Sequence, residues 1–112
     1  MKFKIEVAKK FLNQFKKIFK KFPLIINDLN QLKIKLIENP RLGESIGGGF
    51  YKVRMNITGK SKGKSGGARI ITYFYFEGKT VYLVAIYDKS DVENIDINEL
   101  KKILIDDENT LI

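Results

Sequence analysis

The sequence predicts an α+β fold of order β-α-α-β-β-β-α. A helical hairpin and a C-terminal helix pack on a small, mainly antiparallel four-stranded sheet. Three observations lead there. The hydrophobic period changes from alternation to helical spacing at Ala8 and stays helical to about Glu38. Two β-branched and aromatic runs, 68–76 and 80–87, lie either side of a short turn, and an alternating run precedes them. A last amphipathic stretch closes the chain. At 112 residues, 44% of them apolar and 12% aromatic, the chain has the length and material for a single domain, 1–112, with its own core.

Each element has a local reason. Lys2 to Val7 alternates, with Phe3, Ile5 and Val7 on one side, as a short strand does. Phe11, Leu12, Phe15, Ile18, Phe19 and Phe22 then recur at helical spacing, and Lys9, Lys10, Lys16, Lys17, Lys20 and Lys21 fill the opposite face. Pro23 ends that helix and suits the first turn of the next. Leu29, Leu32 and Leu36, with Ile25 or Ile26, carry the second helix until Asn39-Pro40 stops it. After Gly47-Gly48-Gly49, Tyr51, Val53, Met55 and Ile57 alternate with Phe50, Lys52, Arg54 and Asn56, a strand with one apolar face. Gly59 to Gly67 reads as a loop. Ala68 to Phe76 and Thr80 to Tyr87 read as buried strands joined by a turn at Glu77-Gly78-Lys79. Asp96 is a natural N-cap for a final helix to about Ile105, with Ile97, Leu100, Ile103 and Leu104 inward.

Composition excludes several chemistries. There is no Cys, hence no disulfide, thiol nucleophile or thiolate metal site. There is no His, hence no imidazole base, no Ser-His-Asp triad and no zinc site built on His. The longest run without a charged residue, Thr80 to Tyr87, is far too short to span a membrane. Met1 to Glu6 starts basic but leads into no apolar segment, so no export signal is expected and the cytoplasm is the expected address. Gly59-Lys60-Ser61-Lys62-Gly63-Lys64-Ser65 mimics a P-loop but is one residue short and opens a strand, not a helix. Asp88, Asp91, Glu93 and Asp96 lack the spacing of a calcium loop and read as a solvated acidic loop and helix start. No metal or cofactor is expected.

The net charge is +8, and its distribution says more than its size. Residues 1–22 carry +7, residues 23–50 balance, residues 51–69 carry +6 with no acid, and residues 70–112 carry −5. A basic front with an acidic tail suits a polyanionic partner, nucleic acid first. The lysine face of the first helix reads as a solvated face that aids solubility, with direct contact to a partner as the alternative. The region 51–69 is sharper. Lys52 and Arg54 leave the same face of one strand. Pairing across the loop brings Arg69 beside them, and Lys60, Lys62 and Lys64 hang over the same region. Arg69 stands among Ala68, Ile70 and Ile71 in a strand that otherwise reads as core, so it needs an anionic or carbonyl partner. The plain alternative is an exposed sheet face with ordinary cations.

Phe50-Tyr51-Lys52-Val53-Arg54, Gly63-Lys64-Ser65-Gly66-Gly67-Ala68-Arg69-Ile70-Ile71-Thr72-Tyr73 and Tyr82-Leu83-Val84-Ala85-Ile86-Tyr87-Asp88-Lys89-Ser90 together resemble the RelE/ParE toxin superfamily, in its HigB-like, RelE-like branch. Asn39-Pro40 with Gly43 and the Asn94-Ile95 segment fit as well. The resemblance implies a bacterial toxin of a type II toxin-antitoxin module. Its partner would be a cognate antitoxin, of helix-turn-helix type. Its activity would be metal-independent, ribosome-dependent mRNA cleavage in the A site, with the ribosome and mRNA as further partners. Position by position, it implies catalytic roles for Lys52, Arg54, Arg69 and Lys89, and RNA contacts for Lys60, Lys62, Lys64 and Tyr87. Ser90 stands where some relatives carry an Arg, and the C-terminal catalytic Tyr of others has no counterpart. The general acid is therefore Tyr87, Lys89 or no side chain. Lys52 has two open roles: a base, which requires the neutral amine, or a phosphate positioner beside ribosome-imposed orientation. A ParE-like gyrase inhibitor without catalysis and a plain nucleic-acid-binding module are the competing readings.

Overall fold

The computed structural model describes residues 3–60, 67–89 and 96–111, with side chains as far as residue 106. The elements run β1 (Lys4–Val7), α1 (Lys9–Lys21), α2 (Ile25–Glu38), β2 (Glu44–Gly47), β3 (Phe50–Met55), β4 (Ala68–Tyr75), β5 (Thr80–Asp88) and α3 (Ile97–Leu111). One sheet has the strand order β1-β5-β4-β3-β2. Only the β1–β5 pair is parallel; β2–β3, β3–β4 and β4–β5 are antiparallel. The α+β class and the mainly antiparallel sheet are as the sequence predicts, but the sheet has five strands, not four. The extra strand, β2, is a four-residue edge strand of mostly exposed residues, Glu-Ser-Ile-Gly. Short, polar edge strands are how sheets blunt their edges, and they carry no alternation to read.

Both faces of the sheet are covered. Phe11, Phe15, Ile25, Leu29, Leu32 and Leu36 from the hairpin pack against Val53, Met55, Ile70, Phe74, Val81, Leu83 and Ile86. On the other face Phe50, Ile71, Val84 and Ala85 pack with Leu100 of α3. Phe50, expected among the polar positions of its strand, is fully buried there. Asp96 caps α3 as expected, accepting from Asn98 N–H at 2.9 Å. α3 runs on past the expected end at Ile105 to Leu111. β3 stops at Met55 rather than Ile57. Just beyond it Asp28 of α2 accepts from the Thr58 backbone N–H at 2.8 Å and from Thr58 Oγ1 at 2.7 Å. That pair of hydrogen bonds ties the chain to α2 where it leaves the sheet.

β5 contains a bulge. Thr72 pairs with Leu83 and Ile71 with Ala85, so Val84 is an extra residue. Val81, Leu83 and Ile86 face the hairpin, while Val84, Ala85 and Tyr87 face the α3 side. Without the extra residue, Ile86 would face away from the hairpin core and Tyr87 into it. The Thr72 hydroxyl beside the bulge is buried without a hydrogen-bond partner among the described residues. β1 ends opposite Leu83, where Ala8 N–H donates to the Leu83 carbonyl at 2.9 Å. Beyond that point β5 has no strand neighbour on its outer edge, and the Ile86 N–H is taken by Gln14 Oε1 of α1 at 3.0 Å. Gln14→Leu leaves that N–H unpaired, and is expected to destabilise by about 1–3 kcal/mol. Urea unfolding checks it: the midpoint should fall with the slope unchanged.

Candidate active site

Residues directly opposite one another across a sheet share a face. Arg54 of β3 lies opposite Arg69 of β4, and Arg69 opposite Tyr87 of β5. The three make one transverse row on the α3 side of the sheet. The next row is Glu44–Lys52–Ile71–Ala85. The third holds Phe50, Tyr73 and Tyr82, whose rings lie 4.9 Å and 6.3 Å apart from centroid to centroid. This face therefore grades from aromatic and helix-covered to cationic.

Arginines at directly opposite positions put like charges on neighbouring strands, which is unfavourable. Arg69 is also only 7% exposed. Among the described residues its one hydrogen bond runs from Nη1 to the carbonyl of Ala68, at 3.2 Å, and it has no carboxylate partner. The carbonyl partner expected of a buried Arg is thus present, but it satisfies only part of a planar fork built to bind two oxygens at once. Arg54 is exposed. β2 reaches only Phe50 to Lys52, so β3 has an open edge from Val53 to Met55. There Arg54 lines a cleft of about 230 Å³ with Asp28, Gln31, Leu32, Lys35, Met55 and Asn56.

Burial raises the Tyr87 phenol above its ordinary value, and the positive charge of Arg69 opposes that rise without cancelling it. The phenol keeps its proton across the neutral range and is available as a donor. A raised native pKa gives stability that is complete below the unfolded value of about 10 and is lost as pH rises beyond it. Tyr87→Phe removes that increment. The native-minus-variant difference in unfolding free energy should be flat from pH 6 to 9 and shrink above about pH 10.

The remaining candidates divide. Lys52 is half-buried one row away and stands opposite Glu44, an acid that only β2 brings to this face. Lys60 leaves the basic cluster: its ammonium pairs with the Asp88 carboxylate. The expectation of a cation group with no acid nearby is corrected at both points. Sequence distance hid Glu44 behind an unread strand, and Asp88 lay in what read as the start of a solvated acidic loop. The hairpin register offered the missing signal, since Asp88 pairs with Ala68. The Lys89 N–H donates to the Gly67 carbonyl at 3.1 Å, which fixes its backbone at the end of the sheet that carries Arg69. Lys62 and Lys64 lie outside the described residues, as do Ser90 and Asn94-Ile95. Gly67 itself seats β4. Its φ is +90°, and a Cβ there would sit 2.6 Å from the Met55 carbonyl oxygen.

The structure is that of a small α+β protein with two arginines and a phenol in one row across its sheet. Comparison with known proteins narrows the class. The family model described as RelE toxin of the RelE/RelB toxin-antitoxin system matches residues 8–108. The chain belongs to that family and is a toxin of a toxin-antitoxin system. Among solved structures it is similar to a variant of E. coli toxin RelE with two arginines replaced by alanine, in the free state. That match has a TM-score of 0.59 and 14% identity, over 95% of this chain and 97% of the other. The same variant in complex with a peptide of the antitoxin RelB gives 0.59 and 15%, over 91% and 93%. The isolated E. coli RelE toxin gives 0.57 and 16%, over 92% and 98%. Among the described residues no helix is long and apolar enough to cross a membrane.

Proposed function

We propose that this toxin is a ribosome-dependent endoribonuclease that cuts mRNA in the A site, and that the Arg54–Arg69–Tyr87 row holds the scissile phosphate. The row is the observation that carries the reading: two arginines, one of them buried, and one proton donor at directly opposite positions on three neighbouring strands. The substrate's own 2′-hydroxyl attacks the adjacent phosphorus. The O2′–P bond forms as the P–O5′ bond breaks, leaving a 2′,3′-cyclic phosphate and a 5′-hydroxyl. Charge that builds on the non-bridging oxygens is met by the forks of Arg69 and Arg54. Tyr87, protonated at neutral pH, gives its proton to the departing O5′. Lys52, one row away, takes the 2′-hydroxyl proton as the neutral amine or positions the phosphate as the cation. Lys89, at the same end of the sheet, supplies further charge. Lys60, Lys62 and Lys64 contact RNA around this centre, Lys60 through an ammonium shared with Asp88.

The antitoxin partner follows from the family and from the peptide complex of the E. coli relative. An antitoxin of helix-turn-helix type is the form we propose. The test of the enzymatic reading is mRNA cleavage in a reconstituted translation reaction, mapped by primer extension with and without ribosomes. Cuts are expected only with ribosomes. Absence of cuts in both arms, with growth arrest that tracks DNA damage, would replace this reading with gyrase inhibition.

A further inference from the structure

The family reading leaves α1 unused, yet that helix carries six lysines and no acid. Its charge pattern works against its stability at the N-terminal end and along its exposed side, although Lys20 and Lys21 suit the last turn. Lys9 and Lys10 occupy the first turn, where the helix dipole disfavours cations, and no side chain caps that end. Lys16 and Lys20, and Lys17 and Lys21, are like-charge pairs four residues apart. All six are exposed. A face kept only for solubility gains nothing from excluding every acid, because mixed charges would solvate it and support the helix.

The geometry is more specific than a basic patch. At about 100° per residue the lysines fall into two parallel stripes, Lys9–Lys16–Lys20 and Lys10–Lys17–Lys21, about a quarter-turn apart. Each stripe extends for roughly 16 Å at 1.5 Å per residue. The opposite side of α1 is spent on the core, where Phe11 and Phe15 are buried. Leu12 and Phe19 are left 44% and 42% exposed to one side of the stripes, and the lysine face itself carries no apolar side chain to sink into a lipid surface. α1 also packs on the hairpin side of the sheet, whereas the Arg54–Arg69–Tyr87 row lies on the α3 side. The two basic surfaces are therefore separate.

We infer that α1 is a docking surface for double-helical RNA, its two lysine stripes meeting the phosphate strands on either side of one groove. Duplex RNA presents phosphates in two parallel ridges and is recognised by shape and backbone rather than by sequence. The inference deepens the ribosome-dependent reading, since it names the RNA on which the toxin would seat while its other face meets the message.

The test uses the whole protein with Lys16, Lys17, Lys20 and Lys21 each changed to Gln, binding a 20-base-pair RNA duplex across a salt series. The variant should bind about tenfold or more weakly at physiological salt, and the log–log salt slope should fall by roughly 3. Its thermal midpoint should stay close to native, because relief of the two like-charge pairs is offset by loss of the favourable placement of Lys20 and Lys21 in the last turn. Loss of affinity with the melt unchanged is the expected signature, and loss of folding cannot imitate it. Unchanged affinity for the duplex would overturn the inference, as would binding of the native protein to phosphatidylserine vesicles in preference to the duplex. Native cleavage by Arg69→Lys would defeat the catalytic reading while leaving duplex binding as it stands, so the two failures are distinguishable.

Discussion

Arg69→Lys is expected to slow ribosome-dependent cleavage by about 10²–10³-fold while leaving the fold intact. The substitution keeps the charge and most of the length but removes the planar fork. Arg69 is buried, and its hydrogen bond to the Ala68 carbonyl uses only part of its donor capacity. What remains is aimed, on this reading, at an anion that arrives with the substrate. Primer-extension mapping against native protein, with circular dichroism and a thermal melt as fold controls, measures the effect. Arg69→Ala should lose as much activity, but it empties a buried position, so the lysine variant is the cleaner probe. A folded Arg69→Lys protein that cuts at the native rate would sink the assignment.

Gly67→Ala is expected to lower stability by about 2–4 kcal/mol. Two penalties add. The backbone at Gly67 has φ +90°, a region that L side chains rarely adopt, and the new Cβ would sit 2.6 Å from the Met55 carbonyl oxygen. Backbone cannot swing aside as a side-chain tip can, so β3 and β4 must part where Arg54 meets Arg69. Gly47 provides the control: its φ is +98°, yet a Cβ there meets nothing within 4 Å. Gly47→Ala should therefore show the conformational penalty alone. Denaturant midpoints of the two variants separate strain from collision; equal losses would mean that β4 accommodates the methyl freely.

The course of the chain was legible where burial is one-sided. The hairpin helices announce themselves through Phe11, Phe15, Leu29, Leu32 and Leu36, all of which are buried. The Arg54–Arg69 pairing was legible too, because an alternating strand and a loop with few open topologies leave little else for β4 to do. β2 was not, since Glu44 to Gly47 bury almost nothing. The bulge was hidden for a different reason. Val81 to Ile86 is apolar at nearly every position, so the run reads equally well with or without an extra residue. Tyr87 consequently joined the candidate residues through family resemblance, and its side of the sheet became definite only with the β4–β5 register. Pairing of Lys60 with Asp88, across 28 positions of sequence, depends on that same register.

On the proposed function, the placement of Arg54 opposite Arg69 has a consequence for the toxin's lifetime in a cell. Any anionic partner that settles between them binds the folded chain and not the unfolded one, so it adds to folding stability by mass action. The loose toxin is then the least stable form of itself. Proteases that work on transiently opened chains sample each form according to how often it opens. Toxin seated on RNA or held by an antitoxin would outlast toxin adrift between the two. On the proposed function, like charges that await a phosphate would then also act as a timer on every molecule that fails to find one.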